Sequence, residues 1–187
     1  MSQPKLFMLM LGCRPAGRNT EQHDMFFSIA DSVKDLVPEI KAFWPEAKGN
    51  IHVDAWREVT QVNGHSISVV PKETGEPAAD AEKLFFLNLG GYKPNEFDEF
   101  HYKMLAVAQD SAGAVKQAKS TAFYKHTGFK GATSHIDDKF GVDVDELYPV
   151  QDILPEEVKQ KYSLKITLGA GGAEDEMHLG YFQLHKL

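Results

Sequence analysis

One apolar heptapeptide occurs twice in the chain, and that recurrence restricts the possible folds more than any other feature. Leu6-Phe7-Met8-Leu9-Met10-Leu11-Gly12 and Leu84-Phe85-Phe86-Leu87-Asn88-Leu89-Gly90 lie 78 residues apart and agree at five of seven positions. The same offset, without a gap, sets Glu21 against Glu99, His23 against His101 and Ala30 against Ala108. Phe27, Ser28 and Ile29 meet Leu105, Ala106 and Val107, and at an offset of 83 His52-Val53-Asp54 meets His135-Ile136-Asp137. Matches that recur in one order read as two divergent copies of one unit.

Each copy opens with a short apolar run ending in glycine, the pattern of a strand buried on both faces. Turn-forming loops follow, Arg14 to Asn19 in the first copy and Tyr92 to Asn95 in the second. Asn19 with Gln22, and Asn95 with Asp98, have N-cap-to-N3 spacing, so a helix is expected after each loop. Phe26, Ile29, Ala30, Val33, Leu36 and Val37 recur at three-to-four spacing, as do Met104, Leu105, Ala108, Ala112 and Val115. Pro38 would then break the first helix or start a short turn carrying Ile40, Phe43 and Trp44. Ile51 to Trp56 reads as a strand, and Asn63-Gly64 as the turn of a hairpin, because a type I′ turn needs positive φ at both central residues. Beyond a polar linker at 71–83, Gly141 to Tyr148 reads as a turn and strand, and Leu154 to Lys161 as a short helix. Ser163 to Leu168 and His178 to Leu184 read as strands. The expected fold is α+β, two tandem βαββ-like repeat units in pseudo-symmetric arrangement. Residues 1–78 form the first unit and 79–187 the second with the C-terminal strands, either as separate units or as one compact domain.

The formal charge of −7 argues against nucleic acid and against an anionic membrane surface, both of which call for a basic face. No stretch approaches the roughly 20 apolar residues of a membrane span. The run from Leu6 to Leu11 before Cys13 resembles a lipoprotein signal, yet the same run recurs internally at Leu84, so both are read as strands. A lone cysteine allows no internal disulfide and fits a reducing, cytoplasmic setting.

The segment Gly12 to Asp24, with Arg14, Pro15, Gly17, Arg18, Asn19, Glu21 and His23, followed by Ile51-His52-Val53-Asp54-Ala55-Trp56-Arg57, resembles the bacterial proteins catalogued as domain of unknown function 1543. Asp137 to Asp145 with Asp152-Ile153-Leu154-Pro155 is similar to the second half of such proteins. The resemblance implies a bacterial cytosolic protein with one or two copies of the domain, and it implies no reaction.

Four sets of residues could carry chemistry. Arg14 and Arg18, with Glu21 and His23, would form an anion site at the start of the expected first helix, where N–H groups and dipole favour negative charge. His23, His52 and Asp54, with their counterparts His101, His135 and Asp137, have the residue types of a zinc or non-haem metal site. The preferred reading has no metal and takes His52 and His135 as hydrogen-bonded structural residues. Residues i and i+2 of a strand share a face, so His52 and Asp54 should point together. Cys13 lies five positions before Arg18, one short of the phosphatase spacing, and is read as a structural thiol. The acidic run Asp143-Val144-Asp145-Glu146 lacks calcium-loop spacing and is read as a solvated face or turn. The expected function is a non-enzymatic binding or interaction protein without cofactor. Its partner would be another protein or a small anionic ligand, and it could form a homodimer. The alternative is a small enzyme acting on an anionic substrate through the loop from Arg14 to His23.

Overall fold

The computed structural model describes residues 3–72, 81–92, 95–120, 142–169, 173 and 175–187. Its contacts group the chain into two units, residues 1–73 with 154–187, and residues 74–153.

In the first unit, β1 (Lys5–Cys13) is the inner strand of a sheet ordered β10-β3-β1-β2, with β2 at Gln22–Ala30, β3 at His52–Glu58 and β10 at His178–Gln183. Both β2 and β3 run antiparallel to β1, so they are parallel to each other. The connection between them carries a 3₁₀ turn at Val33–Leu36, helix α1 (Val37–Phe43) and a second 3₁₀ turn at Pro45–Ala47. Phe7, Leu9, Leu11 and Cys13 alternate onto one face of β1 and pack with Phe26, Leu36, Ile40 and Val53. A second, three-stranded sheet joins β4 (Gln61–Val62), β5 (His65–Pro71) and β9 (Tyr162–Leu168). Asn63 and Gly64 have φ of +50° and +77°, the left-handed pair that the hairpin turn demands.

In the second unit, β6 (Lys83–Gly91) lies between β7 (Phe100–Ala108) and β8 (Val142–Pro149), again antiparallel to both. Helix α2 (Ser111–Lys119) follows β7, capped by the Asp110 carboxylate, which accepts from Gly113 N at 2.8 Å. Phe85, Leu87 and Leu89 pack with Ala106, Ala114 and Ala118. The short helix α3 spans Val150–Ile153, and α4, at Glu156–Lys161, belongs to the first unit.

Two expectations are corrected here. The helices expected after Asn19 and Asn95 are the strands β2 and β7, so neither unit has the βαββ order: among the described residues each runs strand, strand, helix, strand. The three-to-four spacing of Phe26 to Val37 joined a strand, a 3₁₀ turn and a helix into one apparent stripe. Phe26, Phe27, Ser28 and Ile29 are all buried, the mark of a strand covered on both sides. A buried inner strand such as β1 needs hydrogen-bond partners along both edges, and β2 satisfies one of them. Of the two readings of Pro38, the one in which it starts a short element carrying Ile40 and Phe43 holds: it lies at the start of α1, where its missing N–H is an orphan anyway. Lastly, the strands after Leu154, expected in the second unit, pair with the first: β9 with β5 and β10 with β3.

Candidate functional site

The register of the first sheet sets three residues in one row. Gly12 on β1 lies opposite His23 on β2 and opposite His52 on β3. Partners directly across a ladder share a face, so two histidines flank a position with no side chain. That gap is required. A Cβ on Gly12 would overlap His52 Nε2, lie 2.5 Å from Asp54 Oδ2 and 2.8 Å from His52 Cε1. The two side chains therefore lie across the glycine.

A β-bulge brings the carboxylate in. Met10 pairs with Ala55 and Leu11 with Val53, which leaves Asp54 as the extra residue of β3. His52 Nε2 lies 3.2 Å from Asp54 Oδ1 and 2.9 Å from Glu21 Oε1, and His23 Nε2 lies 3.3 Å from Asp54 Oδ2. The order of contact is His23, Asp54, His52, Glu21. Burial falls along the set: the His52 side chain is 8% exposed, Asp54 22%, and Glu21 and His23 44% each. Despite these short separations, His52 Nε2 and Asp54 Oδ2 are buried without a hydrogen bond of acceptable geometry. Tyr181 of β10 stacks on the His52 ring at 4.2 Å between centroids, and farther along the same two strands His178 stacks on Trp56 at 3.8 Å.

The second unit repeats the arrangement with different residues. Gly90 lies opposite His101 on β7 and Asp143 on β8, and the β8 bulge leaves Asp145 as its extra residue. His101 Nε2 is 3.4 Å from Asp145 Oδ2. One ligand atom from each of Glu99, His101 and Asp145 falls within 4.8 Å of the others, all three residues being exposed. Tyr92, whose hydroxyl pKa is raised by burial and then by the Glu99 carboxylate, adjoins this cluster.

The sequence-derived residues fare unequally. Glu21, His23, His52 and Asp54 come together. Arg14 and Arg18 sit exposed in the β1–β2 loop, and neither joins these contacts. The loop leads into a strand, so no helix N-terminus lies there to bind an anion or a thiolate. Cys13 points to the opposite face, into the core under α1, and is 1% exposed. Burial, then the Glu21 carboxylate, push its thiol pKa up. His52 was expected to be hydrogen-bonded, and its Nε2 is not. His135 and Asp137 lie outside the described residues. Asp145, read as part of a solvated run, is the residue that sequence reasoning missed. The signal that could have found it is the glycine pair: Gly12 and Gly90 occupy matching positions, and Asp145 carboxylate oxygens crowd Gly90 as Asp54 does Gly12.

A family model described as Domain of Unknown Function (DUF1543) matches residues 18–69, from the β1–β2 loop into β5. The crystal structure of a protein Il1583 from Idiomarina loihiensis is similar in fold, with a TM-score of 0.62 at 18% identity over 97% of each chain. No curated protein matches the chain. No described helix is long and apolar enough to cross a membrane.

Proposed function

We propose that this is a binding protein for divalent metal ions, with its principal site formed by Glu21, His23, His52 and Asp54. The observation that carries the reading is the His52 imidazole. It is almost fully buried, and its Nε2 faces two carboxylate oxygens within 3.2 Å yet makes no aligned hydrogen bond. An unsatisfied buried polar atom costs about 1–3 kcal/mol, so such a group calls for an explanation. A cation between the donors supplies one. Ligands about 2.0–2.1 Å from a tetrahedral zinc ion lie roughly 3.3 Å from each other, a spacing matched by the contacting pairs His52–Glu21, His52–Asp54 and His23–Asp54, while among the described residues three ligand atoms lie mutually within 4.8 Å at Glu99, His101 and Asp145. Two imidazole nitrogens with two carboxylates suit zinc, and also manganese or ferrous iron.

The matching registers of β1–β2–β3 and β6–β7–β8 support a second inference, that the two units are copies of one strand–strand–helix–strand motif. The cluster of Glu99, His101 and Asp145 would then be a more exposed and weaker version of the same site. The alternative of an enzyme acting through Arg14 and Arg18 loses its main support with the absent helix N-terminus.

The test is calorimetric titration of chelator-treated protein with zinc and with manganese, beside elemental analysis of the protein as purified. Saturable binding is expected, lost in His52→Ala, with a weaker component removed by His101→Ala. Bound ion also stabilises the native state, so the melting temperature should rise with ion concentration. Absence of saturable binding to either ion, or a titration unchanged in His52→Ala, would defeat the proposal.

A further inference from the structure

Where the chain enters β3 and turns after β10, the first unit holds a cavity of about 310 Å³. Its polar lining is Lys41, Asn50, His52, Tyr181, Gln183 and His185. No Asp or Glu is among the lining residues, although the chain as a whole carries a formal charge of −7. The apolar floor comes from Ile51 and Leu184, which are 6% and 8% exposed.

Charge and shape together decide what such a cavity would hold. Low-dielectric walls focus the field of a charge that lines them, so the Lys41 ammonium draws negative charge into this pocket, while the Glu21 and Asp54 carboxylates engage His52 at 2.9 and 3.2 Å. The amides of Asn50 and Gln183 can donate to an oxyanion, and the ammonium of Lys41 supplies a charge-assisted bond. The volume lies at the small end of ligand pockets, which run from about 300 to 1,000 Å³. A few convergent polar groups over an apolar floor are what a small organic molecule needs for orientation and desolvation.

We infer that this cavity binds a small organic oxyanion, a carboxylate or phosphate whose charge is met by Lys41, to which the His185 ring N–H can donate, and whose apolar part rests on Ile51 and Leu184. Neither Arg14 nor Arg18, which the sequence suggested for an anion, is among the lining residues. It shares His52 with the His–carboxylate cluster, but its charge comes from Lys41, which lies outside that cluster.

The test is a titration of chelator-treated protein, at constant ionic strength, followed by backbone amide NMR. Inorganic phosphate and benzoate are the anionic probes, and benzylamine is a cationic control of similar size to benzoate. Both anions should saturate, with the largest shifts at Lys41, Asn50 and Gln183, and benzylamine should not. Lys41→Ala should weaken anion binding at least about fivefold, the loss expected from one charge-assisted hydrogen bond. His185→Gln should weaken it less, and Arg14→Ala with Arg18→Ala should leave it unchanged. The proposal is overturned if neither anion saturates, if Lys41→Ala binds them as tightly as the parent protein, or if benzylamine binds equally well. Zinc titration of the same Lys41→Ala protein separates the two sites, because metal binding there should be intact.

Discussion

Replacing Gly12 by alanine adds one methyl group at the point where two side chains cross the strand. Carbon and nitrogen atoms in good contact stand about 3.5–4.0 Å apart. The new Cβ would overlap His52 Nε2 and lie 2.8 Å from its Cε1, so the ring must move by roughly 1 Å. The ring has little room to move: it is buried, with Tyr181 stacked at 4.2 Å on one side. Asp54 Oδ2, at 2.5 Å, must move as well. Overpacking of this kind costs about 1–3 kcal/mol, and the displacement also separates His52 from Glu21 and Asp54. Gly90→Ala is the internal control. The three atoms nearest its Cβ would all belong to the Asp145 carboxylate, whose side chain is 27% exposed, against 8% for His52. Its cost should stay below about 1 kcal/mol. Both tryptophans, Trp44 and Trp56, lie in the first unit, so their fluorescence in urea reports that unit while far-UV circular dichroism follows the whole chain. A lower midpoint at unchanged slope measures lost stability. A Gly12→Ala protein with the parent midpoint, or a Gly90→Ala protein that loses more than Gly12→Ala, would refute the steric argument.

Further outcomes follow from the same contacts. Asp175 accepts from Thr60 N at 2.9 Å, Thr60 Oγ1 at 2.5 Å and Gln61 N at 3.2 Å, so Asp175→Ala should cost about 1–3 kcal/mol in urea unfolding, with Asp175→Asn recovering part. The raised pKa and burial of Cys13 predict slow alkylation by iodoacetamide near neutral pH, accelerating only in denaturant; equal rates with and without urea would contradict it. Burial lowers the Lys103 pKa, with Glu146 pulling the other way, so the unfolded chain holds this proton more firmly than the folded one. The penalty is full below the folded-state pKa and fades as pH rises through it. Lys103→Met should therefore stabilise the protein near neutral pH, and the gain should shrink in alkaline buffer; a gain that grows with pH would reverse the sign of the argument.

The duplicated apolar runs, the hairpin at Asn63-Gly64 and the C-terminal strands were legible in the residues themselves. In each case the signal is local. Runs of five or six apolar side chains ending in glycine leave few alternatives to a buried strand, and positive φ at two successive positions selects Asn-Gly. The same locality made the segment from Phe26 to Val37 misleading. A strand buried on both faces shows no two-residue alternation, so its apolar side chains ran into those of the next turn and imitated a helix. What decided the matter was β1, whose inner position requires a hydrogen-bonded neighbour on each edge, a demand that no window of the sequence expresses.

The candidate site divides in the same way. Glu21, His23, His52 and Asp54 were singled out from sequence, because their types and spacing are visible there. That they meet was settled by register: the antiparallel pairing of β1 with both neighbours puts His23 and His52 in one row across Gly12, and a single extra residue in β3 turns Asp54 into it. Asp145 shows the converse, an unremarkable acid in an acidic run until the bulge in β8 carries it over Gly90. Residue chemistry is written along the chain, one position at a time. Convergence depends on which strands are neighbours and in what register, and those are set by the burial and hydrogen bonding of the whole unit.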